Sequence, residues 1–512
     1  MTLSLIAAVN RRHLIQAAVW GGLGYAGLLA PRAQANSGDR RRAFAIASAP
    51  FNGPLDRSGA ARFNGKLETT NIAVRGKIPA DLRGTLYRNG AGRFELGCTS
   101  YSHWLDGDGM IQAFNFADGK ASHLGVLLST PKLIEEEKAG RFLYSAFGTE
   151  MDDSKPVETP DTVNSANTSA LSMNGGQDLY ALWEGGSATQ INPKTLAVVG
   201  FKVWSPETAG VAFSAHPRRS PEGSVWNFGY VPHSGKLIIY EINERGQLTR
   251  HAVIAAPQAD MVHDFAITEN YLVFLLMPLH AKPNTRPLGN LDRYEWRSDA
   301  PLIAMLVRKA DLSVKHIDLP NGGLFHLGNA WEEGGTIRLG YARYTKFLEH
   351  LKGLTLIAPK LALDQLTSWT QVEINPTRGT ARQIDTQLHG VEFPSFDLRY
   401  TGLKTDYTVL MQNTHAKTDS IFGNDTVLAL SGDKIQRYSY GNSWIAEEHL
   451  LVPKPGGTKA QIGWVLGTAF NLTTHKTTLS VFEANALSKG PVAQLALPYG
   501  LPLGLHGQFV AS

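Results

Sequence analysis

The sequence has 512 residues, of which 43% are hydrophobic and 18% charged, so it can form a large core and is not a disordered chain. The net charge is +4, and Arg11, Arg12 and Arg32 lie in a segment that we expect to be removed. The nearly neutral remainder gives no support for a nucleic-acid partner. The single cysteine, Cys98, excludes an internal disulfide, and no Cys/His zinc pattern is present.

The first 35 residues are typical of an export signal. Arg11 and Arg12 precede an apolar, glycine-containing run, which ends in Ala33-Gln34-Ala35. Paired arginines, a modest apolar run and a small-residue end are features of twin-arginine signals. We therefore expect residues 1–35 to be a signal peptide, residues 36–62 a polar linker, and the protein to reside in a bacterial periplasm. An uncleaved anchor or a chance basic start is the alternative.

Short strand patterns separated by turn residues run from residue 63 nearly to the C terminus. They include Asp178–Glu184, Thr189–Pro193, Lys236–Ile242, Gln247–Val253, Tyr271–Leu276, Leu302–Val307, Thr336–Tyr341 and Thr478–Phe482. The 51 glycines and 26 prolines fit many turns and few helices. Regularly spaced short strands predict a β-propeller or a stack of sandwiches. We expect one all-β propeller domain over 63–512, although no strict repeat gives the number of blades.

Three segments have helical patterns: Thr130–Tyr144, Thr345–Gly353 and Pro359–Trp369. In the first, Pro131 suits the first helical position and the glutamates suit the first turn. As insertions, these segments would form a cap over one face of a propeller. The apolar run Leu354–Leu363 is a candidate for a rim that touches a membrane, and a packed surface or buried helix is the alternative for each.

Four histidines lie in separate apolar segments: His216, His263, His326 and His506. Histidine is the commonest metal ligand, and imidazoles suit iron, zinc and copper. In a propeller, the inner strands of different blades meet at one axis, so histidines far apart in the sequence can converge there. Taken singly, each could equally be an ordinary core histidine that is bonded to the backbone.

Three glutamates occupy similarly apolar settings: Glu184, Glu392 and Glu448. A carboxylate is costly to bury unless it is paired. Metal-bound imidazoles need acceptors that fix the ring tautomer, and these carboxylates could serve. A solvent-facing strand position is the alternative, and it is favoured for Glu448 taken alone beside Glu447.

Eight short motifs occur in an order that resembles the carotenoid cleavage oxygenase family, which includes apocarotenoid and lignostilbene oxygenases and the retinal pigment epithelium isomerohydrolase. The resemblance covers about Ile72 to Val510. The motifs are Arg88-Asn-Gly90, Tyr101-Ser-His-Trp-Leu-Asp-Gly-Asp-Gly-Met110, Ala181-Leu-Trp-Glu-Gly-Gly186, Ala215-His-Pro217, Met261-Val-His-Asp-Phe265, Phe325-His326 with Asn329-Ala330, Val391-Glu-Phe-Pro394 and Leu505-His-Gly507.

The resemblance implies a seven-bladed β-propeller with a non-haem Fe(II) on its axis and dioxygen as co-substrate. The implied iron ligands are His216, His263, His326 and His506. The implied outer carboxylates are Glu184, Glu392 and Glu448, which would orient His263, His326 and His506 respectively. A long apolar substrate would lie in a tunnel above the iron, with candidate lining residues Trp183, Phe265, Phe325, Trp331, Phe393 and Ala170.

The sequence departs from the family pattern at three places. Trp104 stands where stilbene-cleaving relatives tend to have a tyrosine that binds a phenol, and a tryptophan offers only one N–H donor. Lys132 is left as a possible phenol partner, so stilbenes are less favoured but not excluded. Ala170 stands where the family often has Thr or Val, which could leave one iron position more open. Residues 460–464 lack the family's acidic turn.

Three functions compete. The first is a dioxygenase that cleaves a C=C bond of a carotenoid or apocarotenoid into aldehyde or ketone products, with peripheral membrane contact. The second is cleavage of a stilbene or phenylpropenoid alkene, and the third is a propeller that only binds a ligand, because fold alone does not settle function. Iron content discriminates the third from the others. The sequence gives neither the oligomeric state nor the choice between cleavage and isomerisation.

Overall fold

The computed structural model describes residues 65–282, 290–354, 367–414 and 423–512. The predicted signal peptide and linker therefore lie outside the described residues. Among these residues, no helix combines the length and the apolar character needed to cross a bilayer.

The N-terminal part of the described chain forms seven strands and one helix. The strands are β1 (Lys66–Thr69), β2 (Ala73–Gly76), β3 (Gly84–Arg93), β4 (Glu95–Leu96), β5 (Thr99–Ser100), β6 (Asp108–Ala117) and β7 (Lys120–Leu127). Helix α1 (Pro131–Ala139) confirms the first helical prediction: the Thr130 side chain caps it, Pro131 opens it, and Gly140 ends it in the left-handed conformation.

The next fourteen strands follow with short connections. They are β8 (Ser169–Met173), β9 (Asp178–Leu182), β10 (Thr189–Ile191), β11 (Val198–Phe201), β12 (Arg218–Arg219), β13 (Val225–Tyr230), β14 (Lys236–Ile242), β15 (Leu248–Ala255), β16 (Ala266–Ile267), β17 (Tyr271–Leu276), β18 (Leu279–Ala281), β19 (Tyr294–Trp296), β20 (Leu302–Arg308) and β21 (Val314–Leu319). The hairpin predicted between β14 and β15 is confirmed, and Gly246 adopts a φ of +76° in its turn.

The C-terminal part carries the remaining strands and a second helix, α2 (Phe347–Gly353). The strands are β22 (Gly323–Glu333), β23 (Thr336–Tyr344), β24 (Ser368–Asn375), β25 (Thr380–His389), β26 (Val391–Ser395), β27 (Tyr407–Gln412), β28 (Thr426–Ser431), β29 (Lys434–Ser439), β30 (Trp444–Pro453), β31 (Gly463–Asn471), β32 (Thr477–Glu483), β33 (Ala493–Ala496) and β34 (Gly507–Ala511). Helix α2 confirms the second helical prediction. The third was wrong at its end, because Trp369 lies in β24, paired with Ala342 of β23, and residues 359–366 lie outside the described residues.

Seven antiparallel sheets form the seven blades of a β-propeller, as the resemblance implied. From the axis outward, they are blade 1 (β8, β9, β10, β11), blade 2 (β12, β13, β14, β15), blade 3 (β16, β17, β20, β21), blade 4 (β22, β23, β24, β25), blade 5 (β26, β27, β28, β29), blade 6 (β30, β31, β32, β33, β2) and blade 7 (β34, β3, β6, β7, β1). Two small hairpins, β4–β5 and β18–β19, are additions to this ring.

The ring closes through two pairings of N-terminal with C-terminal strands. The last strand, β34, pairs with β3 and becomes the inner strand of blade 7, and β2 pairs with β33 at the outer edge of blade 6. These pairings tie the two ends of the described chain into one ring of blades.

Hydrophobic side chains fill the space between blades and not within any one blade. A separate buried cluster lies at each interface between neighbouring blades. Val273 and Leu306 of blade 3, for example, share a cluster with Leu327 and Leu339 of blade 4. Each sheet can bury both faces only against its neighbours, so the blades depend on the closed ring for their stability.

Candidate metal centre

The four histidines lie at or just before the inner strands of four blades. His216 precedes β12 of blade 2, His263 precedes β16 of blade 3, His326 is part of β22 of blade 4, and His506 immediately precedes β34 of blade 7. Inner strands of a propeller converge on its axis, so these positions bring the four imidazoles together. The gap of 180 residues between His326 and His506 contains blades 5 and 6.

The imidazoles face one another through their Nε2 atoms. The Nε2 of His216 lies 3.0 Å from that of His263, which lies 3.2 Å from the Nε2 of His326, and this atom lies 3.0 Å from the Nε2 of His506. Two nitrogens bound at right angles to a metal at about 2.1 Å would stand about 3.0 Å apart. The spacing therefore fits a shared metal ion. Within the described ranges, these four side chains are the one group of three or more with candidate ligand atoms this close.

The three glutamates hold the opposite nitrogens of three rings. The Nδ1 of His263 lies 2.6 Å from Glu184, that of His326 lies 2.6 Å from Glu392, and that of His506 lies 2.9 Å from Glu448. A proton on Nδ1 that is donated to a carboxylate leaves the Nε2 lone pair directed at the axis.

Every blade thus supplies one of the seven side chains. The histidines come from blades 2, 3, 4 and 7, and the glutamates come from blades 1, 5 and 6. Among the described residues, no carboxylate binds the ring of His216. The seven-fold ring therefore supplies three acceptors for four imidazoles.

The glutamates are themselves fixed by donors that the sequence did not indicate. The hydroxyl of Tyr230 donates to Glu184 at 2.6 Å, that of Tyr344 donates to Glu392 at 2.8 Å, and the backbone N–H of Gly507 donates to Glu448 at 2.9 Å. Both tyrosines lie in strands of blades other than the glutamate's own. In the sequence, each is a tyrosine at the end of a strand, and this feature is too common to indicate a functional role.

Burial sets the protonation of the site. It holds the pKa of His216 and of His326 well below the ordinary value, so both rings are neutral and can donate a lone pair to a metal. Burial also lowers the pKa of His263, but the neighbouring Glu184 outweighs it and the net shift is upward. Burial raises the pKa of Glu392 to about 7.

Two predicted tunnel residues contact the imidazoles. Phe325 meets the His263 ring edge-on, at 5.3 Å between centroids, and links it to Phe347 of α2, 4.7 Å away. Phe393 lies against the rings of His326 and His506, at 5.1 and 5.4 Å. It adopts a φ of +52°, an unfavourable backbone conformation for a bulky side chain, between Glu392 and Pro394.

A cavity of about 310 Å³ adjoins the imidazoles along the axis. Ala170 and Phe393 line it together with His216, His326 and His506. The small side chain of Ala170 therefore borders open space next to three of the four imidazole rings.

The other predicted tunnel residues lie elsewhere. Phe265 stacks on Phe274, with 5.1 Å between the ring centroids. Both rings lie in the core between blades 2 and 3, so Phe265 is surrounded by protein. Trp331 lies five residues beyond His326 in β22, opposite Arg338, and shows no ring contact with the imidazoles in the described part of the chain. Trp183 folds over Gly185 and Gly186 in the turn that carries Glu184. Trp331 lies in β22, whereas Phe265 and Trp183 lie in the segments before β16 and after β9, so their orientation depends on turns that the sequence pattern did not predict.

Lys132 is engaged by acidic side chains and is not available for a phenol. Its ammonium donates to Asp108 and to Glu136, at 2.8 Å each, and it is 3% exposed. Trp104 packs between two hydrophobic clusters beside Phe94 and Phe147.

Comparisons with known proteins agree with this geometry. Residues 61–511 match the family described as retinal pigment epithelial membrane protein. The chain is 32% identical to apocarotenoid-15,15'-oxygenase of Synechocystis over 460 residues, which cover 85% of this chain and 92% of that protein. It is 26% identical to isoeugenol monooxygenase of Pseudomonas nitroreducens (86% and 94% covered) and 28% identical to carotenoid 9,10(9',10')-cleavage dioxygenase 1 of Pisum sativum (86% of each).

Solved structures show the same fold. A glutamate variant of Synechocystis apocarotenoid oxygenase superposes with a TM-score of 0.80 at 25% identity, covering 94% of this chain and all of that one. The cobalt-substituted form of that oxygenase has a TM-score of 0.78 at 25% identity, covering 92% and 99%. The chain therefore belongs to the retinal pigment epithelial membrane protein family, the carotenoid cleavage oxygenases whose motifs it carries.

Proposed function

We propose that the protein is a non-haem Fe(II) oxygenase that cleaves a C=C bond of a carotenoid or apocarotenoid with O₂. The observation that carries the proposal is the meeting of the four imidazoles of His216, His263, His326 and His506 through their Nε2 atoms. Relatives named as apocarotenoid and carotenoid oxygenases support the substrate class. The reaction adds one oxygen atom of O₂ to each alkene carbon, giving two carbonyl products.

In this proposal, the four histidines hold iron and the protein's other residues prepare the site. Fe(II), when bound, supplies the chemistry that activates dioxygen. Glu184, Glu392 and Glu448 keep a proton on each Nδ1, so the Nε2 lone pairs stay available. Three carboxylates also offset the ion's charge without occupying its coordination positions. Phe325 and Phe393 keep water away from the imidazole rings and offer an apolar surface against which the alkene can pack.

Cleavage of a stilbene or phenylpropenoid alkene is the second candidate, because a relative is named isoeugenol monooxygenase. The structure favours it less. Lys132 is held between Asp108 and Glu136, and the partly buried Trp104 has no hydroxyl, so the two do not form a pair of groups that would bind and ionise a phenol.

The test is a product assay with a matched histidine control. Protein loaded with Fe(II) without air is incubated under ¹⁸O₂ with a carotenoid, an apocarotenal, resveratrol or isoeugenol, and carbonyl products are identified by mass. Label in both carbonyl fragments of a carotenoid or apocarotenal is expected. His263→Ala should lose iron and product, whereas His280→Ala, at a partly exposed histidine bound to Asp260, should keep both. Iron-loaded protein that cleaves none of the four compounds contradicts the proposal.

We also propose that the protein is exported to the periplasm. The proposal rests on Arg11, Arg12 and the apolar run that follows. Fractionation of cells that express the full chain should place it in the periplasm. Lysine at both arginine positions should retain it in the cytoplasm, and export of that variant would contradict the twin-arginine route.

A further inference from the structure

Arg218 and Asp264 form a buried pair between the strands that carry three of the candidate ligands. The guanidinium of Arg218 lies 2.7 Å from each carboxylate oxygen of Asp264, and the two side chains are 13% and 1% exposed. Arg218 is two residues after His216, and Asp264 directly follows His263. Both side chains line the cavity beside the imidazoles, and among the described residues neither forms a hydrogen bond to an imidazole ring.

The pair also bonds to the backbone of two residues, Phe265 and Leu327. The Nε of Arg218 donates to the carbonyl of Phe265 at 2.7 Å, and its terminal nitrogen donates to the carbonyl of Leu327 at 3.0 Å. Asp264 accepts the N–H of Leu327 and the N–H of Phe265, each at 2.8 Å. Leu327 directly follows His326. One side-chain pair therefore joins the segments of His216, His263 and His326.

His216 depends most on this arrangement. Its ring has no carboxylate partner among the described residues, and its inner strand β12 has only two residues. On the side that faces blade 3, the segment of His216 is held by the guanidinium of Arg218. The N–H donors of this planar group are fixed in direction.

We propose that Arg218 and Asp264 are positioning residues of the four-histidine centre, which hold His216 in register with His263 and His326. The inference rests on the proposed metal centre and adds residues that act through the backbone of the ligands. It differs from the role of the glutamates, because the pair touches no imidazole.

The test measures metal binding and not turnover. Metal-free protein is titrated with Co(II), whose visible spectrum reports both affinity and coordination geometry. Arg218→Gln and Asp264→Asn should each weaken Co(II) binding on the order of 10–100-fold and change the spectrum. Combining them should add little to either single change, because both break one unit. Arg218→Lys keeps the positive charge but not the planar set of N–H donors, so its loss of Co(II) affinity should be smaller.

Asp397→Asn is the matched control. Asp397 is also buried and binds an arginine, Arg399, but that pair lies within one segment of blade 5 and joins no ligand strands. It should leave Co(II) affinity and spectrum unchanged.

Wild-type affinity and spectrum in folded Asp264→Asn would overturn the inference, and so would an equal loss in Asp397→Asn. If Asp264→Asn and Arg218→Gln do not fold, wild-type Co(II) binding by Arg218→Lys overturns it and weaker binding with an altered spectrum supports it. Failure of the wild-type chain to bind Co(II) or Fe(II) would instead refute the metal centre itself.

Discussion

Tyr344 donates a 2.8 Å hydrogen bond to Oε1 of Glu392, the carboxylate whose other oxygen holds His326. The backbone N–H of Phe393 also donates to that second oxygen, at 2.7 Å. Three donors thus converge on one buried carboxylate. Its burial nevertheless raises its pKa to about 7, so its charge at neutral pH depends on these partners.

Replacing Tyr344 by phenylalanine should weaken the centre. Oε1 of Glu392 would lose its donor in a buried place, which costs about 1–3 kcal/mol of unfolding free energy. Because the bond from Tyr344 favours the charged carboxylate, its loss should also weaken Co(II) binding at neutral pH. Urea denaturation and Co(II) titration measure the two effects. Tyr407→Phe is the control: its hydroxyl donates to Ala484 in the core between blades 5 and 6, so only stability should fall.

Glu392→Gln should change how the stability of the metal-free protein depends on pH. The folded-state pKa of Glu392 lies near 7, above its ordinary value of 4.5, so the folded state holds this proton more tightly than the unfolded chain does. The resulting stability is fully present below pH 4.5 and is lost as the pH rises through about 7.

The wild type should therefore lose up to about 3 kcal/mol relative to Glu392→Gln between these pH values. Denaturation in urea with a chelator, at both ends of the window, measures the difference. A difference that is constant across the window would contradict this account.

Phe393 allows strain and ring packing to be separated. Alanine and glycine both remove the ring that contacts His326 and His506, but only glycine adopts a φ of +52° without steric cost. Phe393→Gly should consequently be more stable than Phe393→Ala by about 1 kcal/mol, the reverse of the usual order in a strand. Thermal unfolding of the two metal-free variants decides this, and an alanine variant that is equal or more stable would exclude backbone strain there.

The ion pair between Arg88 and Glu447 should be essential to closing the ring. The side chains are 2% and 3% exposed, and Glu447 also accepts the N–H of Gly504, two residues before His506. Glu447→Gln leaves a buried guanidinium without its counter-charge, which should cost about 3–5 kcal/mol of unfolding free energy. Chemical denaturation checks this. Glu333→Gln, at an exposed pair with Lys404, should leave stability nearly unchanged.

Ala170→Thr should slow turnover without removing the metal. The added atoms would occupy the cavity that Ala170 shares with His216, His326 and His506. We expect kcat to fall on the order of tenfold, because small displacements of reacting groups have large effects on rate. Iron content and carotenoid or apocarotenoid turnover are measured on the same preparation, and an unchanged rate at full iron content would contradict a role for this space.

Local sequence pattern predicted strands and helices well where the residue types within a short segment determine the structure. Strands such as Lys236–Ile242 and Tyr271–Leu276 match their predicted bounds, because short apolar runs that contain β-branched and aromatic residues are typical of strands. Helix α1 was readable from Pro131, but the glutamates expected in its first turn lie beyond that turn. Trp369 was misassigned, since an apolar run of that length is compatible with either a helix or a buried strand.

The predicted tunnel residues show more clearly what the sequence pattern could not predict. Phe265 and Phe325 lie within two residues of a candidate ligand histidine in the sequence, yet one lies in the core between blades 2 and 3 and the other against the His263 ring. Phe265 lies just before β16, and bulges interrupt the pairing of β22 with β23, so the sequence did not show which of these side chains face the axis. Tyr230 and Tyr344 went unnoticed for a different reason: the carboxylates that they bind come from other blades.

The sequence by itself determined a strand-rich architecture, because strand propensity is a property of short segments, and the family that its eight motifs resemble indicated the four histidines and the three glutamates. Only the tertiary structure decided that all seven side chains come from seven different blades, that two tyrosines and a backbone N–H fix the carboxylates, and that Arg218 pairs with Asp264. Those contacts join residues far apart in the chain, and they exist only once the ring has closed around its axis.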